Sequence, residues 1–149
     1  MRLVVQRVTR ASVRAGDDLL GEIGPGAVVL AGIGTDDTSD VVDRMADKLI
    51  GLRYFEDDAG RTNLAIAEAG GSLLLVSQFT LYADLRRGRR PGFTAAAAPD
   101  VAVPLLDRFV ERLRATVRVE TGRFGAEMTV ELVNDGPFTL VLDSARDLG

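Results

Sequence analysis

Two hexads carry most of this chain's chemical vocabulary: Ser77-Gln78-Phe79-Thr80-Leu81-Tyr82 and Asn134-Asp135-Gly136-Pro137-Phe138-Thr139. Read as a strand, the first puts Gln78, Thr80 and Tyr82 on one face and Ser77, Phe79 and Leu81 on the other. Three hydrogen-bonding side chains directly after the apolar run Leu73 to Val76 need water or partners, so that face is either solvated or a site. The second hexad reads as a tight turn, because Asn, Asp, Gly and Pro are the strongest turn formers. Its Gly-Pro pair also sets two bare backbone carbonyls and one fixed φ at a single point.

Two absences bound what these groups can do. The chain has no Cys, which excludes disulfides, thiolate nucleophiles and thiolate metal sites. It has no His, which excludes a Ser-His-Asp triad, an imidazole base and any His-ligated metal. Any hydrolysis must therefore use carboxylates, backbone dipoles, hydroxyls or the substrate itself. Carboxylates are present at Asp36-Asp37, Glu56 and Asp57-Asp58, but all lie in expected turns and imply no metal. Gly24-Pro25-Gly26 precedes a strand, and Gly32-Ile33-Gly34 lacks the third glycine and the Lys-Ser/Thr of a phosphate loop, so both read as turns. Arg86, Arg87, Arg89 and Arg90 make a basic cluster in a chain of net charge −4. That cluster either holds a phosphate backbone or solubilises a loop.

The elements that must position these groups follow from periodicity. Strands are expected at Met1 to Arg10 (continuing or restarting through Arg14), Leu19 to Ile23, and Ala27 to Ile33, the last covered on both faces. Thr38 or Ser39 caps a helix whose apolar face is Val41, Val42, Met45, Leu49 and Leu52. Short strands follow at Arg53 to Phe55 and Thr62 to Ile66, then a buried strand over Ser72 to Leu81. Asp100 is expected to cap a second helix facing inward through Val103, Leu106, Phe109, Val110 and Leu113. Thr116 to Val119 reads as a strand and Met128 to Asp143 as a closing hairpin. Many strands with two long helices predict one α+β domain over residues 1–149 rather than a doubly wound sheet. No apolar run approaches the roughly 20 residues a membrane helix needs, and Arg7, Arg10 and Arg14 interrupt the start too early for a signal peptide, so a cytoplasmic protein is expected.

The two hexads together resemble the D-aminoacyl-tRNA deacylase family. Gln6-Arg7-Val8, Arg90-Pro91-Gly92-Phe93 and Gly122-Arg123-Phe124-Gly125-Ala126-Glu127-Met128 resemble it as well, in the same order, so the likeness covers essentially the whole chain. Thr62 and Phe138 depart from the usual residues of that family, outside the pocket residues themselves.

The resemblance implies an α+β fold with a barrel-like sheet, two main helices and a homodimer sharing its site at the subunit interface. It implies hydrolysis of D-aminoacyl-tRNA, and of glycine mischarged on tRNA, with L-aminoacyl-tRNA spared. The pocket would be Ser77, Gln78, Phe79 and Thr80, with Gly136 and Pro137 of the partner subunit entering through a cis peptide; Arg7 would hold that loop and Ala96 would be a small pocket position. Neither cofactor nor metal is implied. Backbone N–H groups near Phe79 and Thr80 could bind the oxyanion, with the neighbouring ribose hydroxyl assisting water. Arg86, Arg87, Arg89 and Arg90 would meet tRNA phosphates. The alternatives are a non-catalytic RNA-binding module of the same fold and a small-molecule esterase, the latter disfavoured by the missing nucleophile and base.

Overall fold

A long first strand, β1 (Arg2–Ala15), is the spine of the molecule, and the computed structural model describes it within residues 1–149. β2 (Asp18–Ile23) and β3 (Gly26–Gly32) follow, both antiparallel to β1. The first helix, α1 (Ser39–Gly51), leads to a separate two-stranded hairpin of β4 (Arg53–Glu56) and β5 (Thr62–Ala65). β6 (Ser72–Ser77) returns parallel to β3; the second helix, α2 (Pro99–Arg114), crosses back to β7 (Val119–Thr121), parallel to β6. The last strand, β8 (Thr129–Asp143), runs antiparallel along almost all of β1. The large sheet is ordered β2-β1-β3-β6-β7, with β8 added on β1.

The sheet curls until its two ends nearly meet. A Cβ placed on Gly21 of β2 would lie 3.1 Å from the Glu120 Cβ of β7, so a side chain there would press the two strands apart by a few tenths of an ångström. The result is the expected α+β arrangement, a nearly closed, barrel-like sheet with two main helices. Strand alternation then sorts apolar residues into two cores. Leu3, Val5, Ala27, Val29, Leu73 and Leu75 face the helices, where they meet Met45, Leu49, Phe109 and Leu113. Val8, Val13, Ile23, Val28, Leu74 and Val76 fill the inside of the curl. β1 serves both cores because its phase changes midway: Arg7 and Val8 are buried in succession, next to register shifts against β8. β3 is buried on both faces, as its unbroken apolar run predicts.

α1 begins where expected, with the Thr38 hydroxyl accepting the Val41 N–H. Outside the core, Arg108 and Arg112 of α2 each grip a carboxylate of α1, Asp43 and Asp47, through paired bonds of 2.7–2.8 Å. Four expectations fail. The strand expected at Thr116 to Val119 forms at Val119–Thr121 instead, because the Thr116 and Val117 N–H groups are taken by the Leu113 carbonyl at the end of α2. Asp100 is not the cap of α2: Ala98 holds that position without a side-chain bond, Pro99 starts the helix, and Asp100 sits in the first turn where the dipole favours it. The strand expected over Ser72 to Leu81 stops at Ser77 and becomes a 3-10 turn, Phe79–Tyr82. β7 pairs β6 only at Leu73–Leu75, so no ladder partner holds the chain extended further on that side, and i→i+3 bonds from Leu81 to Gln78 and Ala83 to Thr80 take over. Gln78, Thr80 and Tyr82 therefore do not form one strand face. Met128 to Asp143 is not a hairpin either; it is one strand carrying a wide bulge. Gln6 pairs with Thr139 and Val8 with Asn134, so the residues between them on β8 loop out of the ladder while both flanks stay on β1.

Candidate active site

Ser77 ends β6 directly opposite Ala31 of β3, and the next amide, Gln78 N–H, donates to the Ala31 carbonyl at 2.8 Å. The 3-10 turn that follows lies against the end of β3 because that end is glycine. A Cβ on Gly32 would sit 2.9 Å from the Gln78 carbonyl oxygen, and one on Gly34 would sit 2.7 Å from the Tyr82 ring. Tyr82 anchors the far side of the turn: its hydroxyl donates to Asp37 Oδ2 at 3.4 Å, and the Arg2 guanidinium lies 4.6 Å from its ring centroid. Arg2 Nη1 also donates to the Leu81 carbonyl at 2.9 Å. Burial, with the Asp37 carboxylate adding to it, pushes the Tyr82 phenol above its ordinary range and keeps it a neutral donor. Asp37 is itself held by the Gly34 N–H at 2.7 Å and by the Met1 ammonium.

So fixed, Ser77, Gln78 and Phe79 open onto a cleft of about 670 Å³. Ala31 and Ile33 of the β3 end and Val76 of β6 form its base. The small-residue run supplies one wall: Ala96 bridges Gly34, and the Ala97 N–H donates to the Ile33 carbonyl at 2.9 Å. Ala102 and Leu106 of α2 continue that wall, and the segment Phe124–Met128 forms the other. Phe79 stands at the rim, 56% exposed, with Phe93 edge-on to it at 5.0 Å between centroids. A mostly apolar hollow with a few polar groups at one end is what a small organic moiety requires.

Thr80 does not line this cleft. Its Oγ1 accepts from Gln78 Nε2 at 2.5 Å, so its chemistry is the ordering of the Gln78 amide. The first amide bonded inside the 3-10 turn is that of Leu81, which leaves the N–H groups of Phe79 and Thr80 ahead of the ladder. Of the two residues, Phe79 lines the cleft, so its N–H is the one placed to meet a developing oxyanion there.

Gly136 and Pro137 lie away from the cleft of their own chain, exposed on the β8 bulge. Their peptide bond is cis. Asn134 Nδ2 donates across the bulge to the Arg7 carbonyl at 2.8 Å and the Phe138 carbonyl at 3.0 Å, tying its two feet together. Arg7 is buried beneath it. Nη1 donates to the Tyr54 carbonyl at 2.8 Å, Nε donates to the Asp135 carbonyl at 3.2 Å, and the guanidinium lies 4.8 Å from the Phe138 ring centroid. Gly136 has φ +130°, and a Cβ there would meet Arg7 Nη2 and the Phe138 N at 3.1 Å. That position needs glycine both for its backbone and for space.

The arginine cluster sits on a loop closed by reciprocal bonds between Asp84 and Gly92. Its members are not equivalent. Arg86 is forked onto the Asp84 carboxylate at 2.9 and 2.7 Å, which holds the Asp84 carboxyl well below the usual range. Arg87, Arg89 and Arg90 are exposed and have no ion pair within the chain.

Sequence reasoning missed the Tyr54 carbonyl, Phe124 as a wall, and Glu127. A backbone acceptor leaves no mark in residue types; the two others lie in Gly122 to Met128, a stretch singled out for its family likeness but given no place in the pocket. The signal for Phe124 was its being one of six phenylalanines in a chain without Trp, set in a glycine-containing loop.

The chain matches, over residues 4–143, the family described as D-Tyr-tRNA(Tyr) deacylase. The D-aminoacyl-tRNA deacylase of Symbiobacterium thermophilum is 58% identical over 147 residues, covering 98% of this chain and 97% of that protein. That of Chlorobaculum parvum is 56% identical, covering 98% and 99%. Among solved structures, the c-Myc DNA Unwinding Element Binding Protein superposes with TM-score 0.91 and 40% identity over 96% of this chain and 98% of its own. A probable eukaryotic D-amino acid tRNA deacylase superposes with TM-score 0.84 at 20% identity over 95% and 97%, a likeness of fold.

Proposed function

The chain belongs to the D-Tyr-tRNA(Tyr) deacylase family, and from that premise we propose that it hydrolyses the ester joining a D-amino acid to the terminal ribose of tRNA. The observation that carries this reading is the meeting of Ser77, Gln78, Phe79 and Ala96 around one mostly apolar cleft, in a chain that has neither His nor Cys.

In this reading water attacks the ester carbonyl carbon, a new C–O bond forms, and the bond to the ribose oxygen breaks. The N–H of Phe79, at the cleft, receives the oxyanion, with that of Thr80 next to it in the turn, and the water's proton passes to the leaving ribose oxygen with the adjacent ribose hydroxyl assisting. A protein without His is suited to a substrate that brings its own hydroxyl to the reaction.

Selectivity, in the same reading, comes from a second copy of the chain. Gly136 and Pro137 of the partner subunit cap the cleft, offer their carbonyls to the substrate ammonium, and close the side where an L side chain would stand. Rejection by a wall is sharper than attraction by an added contact. Glycine, having no side chain on either side, is accepted. The exposed bulge, outside its own cleft yet held from beneath by Arg7, supports such a role. The whole chain acts here as one domain, in the cytoplasm, without a cofactor; no helix is long and apolar enough to cross a membrane.

Deacylation of D- and L-aminoacyl-tRNA bearing the same amino acid tests this directly. Ester loss confined to the D form is expected; equal rates would refute the selectivity. A second reading, a nucleic-acid-binding module without catalysis, draws on the name of the structure 40% identical to this chain. Retained tRNA binding with no ester loss from any D form would favour it.

A further inference from the structure

Glu127 is the one charged residue among those lining the cleft, exposed in a wall otherwise apolar from Phe124 to Met128. Its segment has a defined shape. The Ala126 N–H donates to the Arg123 carbonyl at 3.2 Å, and Gly125 takes φ +77° inside that turn, a value suited to glycine. Beyond the turn, Met128 folds back so that its sulfur accepts the Arg123 N–H at 3.4 Å. Gly122 admits that sulfur, because a Cβ there would lie 2.7 Å from it. Glu127 thus stands between a closed turn and a packed methionine. Its carboxylate has no hydrogen-bond or ion-pair partner in the chain, whereas the carboxylates of Asp43, Asp47 and Asp84 are each forked by arginine.

An exposed carboxylate without an ion-pair partner at the edge of a mostly apolar hollow projects a field into it, screened by water on its outer side. We propose that Glu127 is a specificity-determining residue: it disfavours aminoacyl esters with anionic side chains and favours those with cationic ones. The proposal rests on the aminoacyl reading of the cleft. The carboxylate is exposed, so the effect is moderate, roughly three- to tenfold for one unit charge at the rim. Attraction for the α-ammonium, and any repulsion of tRNA phosphates, is common to every substrate and cancels in a ratio.

The test compares kcat/KM for D-Asn-tRNA with D-Asp-tRNA, and for D-Met-tRNA with D-Lys-tRNA, in the wild type and in Glu127→Gln. The substitution keeps shape and removes charge. The preference for D-Asn over D-Asp should fall three- to tenfold, and any preference for D-Lys over D-Met should shrink alongside it. Unchanged ratios in both pairs, with deacylation intact, would overturn the proposal and leave the deacylase reading standing. A wild type inactive on all D forms would instead defeat that reading. Should Glu127→Gln lose turnover altogether, inhibition constants of amide-linked D-Asn and D-Asp analogues of the terminal adenosine supply the same ratio from binding alone, with the same two outcomes.

Discussion

Arg7 reaches from β1 to Tyr54 of the β4–β5 hairpin, donating Nη1 to its carbonyl at 2.8 Å from a position only 7% exposed. The same guanidinium donates to the Asp135 carbonyl, so one buried planar group joins the β4–β5 hairpin to the foot of the Gly136-Pro137 bulge. Replacing Arg7 with Met leaves a buried carbonyl without a donor and frees the bulge. A loss of about 3 kcal/mol is expected, read as a fall in the urea midpoint, with deacylation falling as well. Arg7→Lys should not restore it, since a single ammonium cannot span both carbonyls as a fork does. A stability unchanged by either substitution would contradict this account.

Tyr54 gives the opposite expectation at its other end. Its hydroxyl is buried and finds no partner, although its ring packs among the core residues and on Phe138. Tyr54→Phe removes an orphaned polar atom and should stabilise the fold by about 1 kcal/mol, seen as a higher Tm. Burial also raises the phenol above its ordinary value of 10.0. The neutral form is favoured by folding, so this contribution is complete below pH 10.0 and is lost as pH climbs beyond it. The alkaline fall in stability should therefore be shallower in Tyr54→Phe, by up to about 1.4 kcal/mol per pH unit.

Arg86 is engaged with Asp84, whereas Arg87, Arg89 and Arg90 carry no partner. If the loop meets tRNA phosphates, the unpaired three do so. Replacing them with Ala should flatten the plot of log kcat/KM against log salt by about two units for three contacts at 0.7 each. Arg86→Ala should change the slope little. A slope insensitive to the triple replacement would assign the loop to solubility.

Thr80→Ala removes a hydroxyl that orders Gln78 and does not line the cleft. Turnover should persist within about tenfold of the wild type, since no barrier-lowering contact above about 1.4 kcal/mol is lost. Complete loss, with an aminoacyl group trapped on Thr80 of the wild type, would establish covalent catalysis instead.

The residues of the site were legible where they are contiguous, and the shape of the site was not. Ser77 to Phe79 could be singled out because polar groups after Leu73–Val76 demand an explanation, and β3 could be read as central from its apolar run. The two errors at the hexads share a cause. Alternating apolar flanks around Asn134-Asp135-Gly136-Pro137 fit a hairpin and a bulged single strand equally, and only β1, more than a hundred residues earlier, decides between them. Likewise, Leu81 and Tyr82 have strand composition; what denies them a strand is that β7 ends at Thr121. The cleft walls at Ala96, Leu106 and Phe124 come from segments whose meeting no local pattern records.

The bulge on β8 has a consequence for solubility. β8 pairs only with β1, so its outer side is a fifteen-residue open edge, with Val133 and Val141 exposed along it. A long unpaired edge is a template for strand addition by other chains. Asp135–Pro137 interrupts it near the middle, with a charge, a residue at positive φ and a proline that has no N–H to offer. An incoming strand finds two short runs out of register with each other. The bulge thereby guards the molecule against uncontrolled edge-to-edge growth.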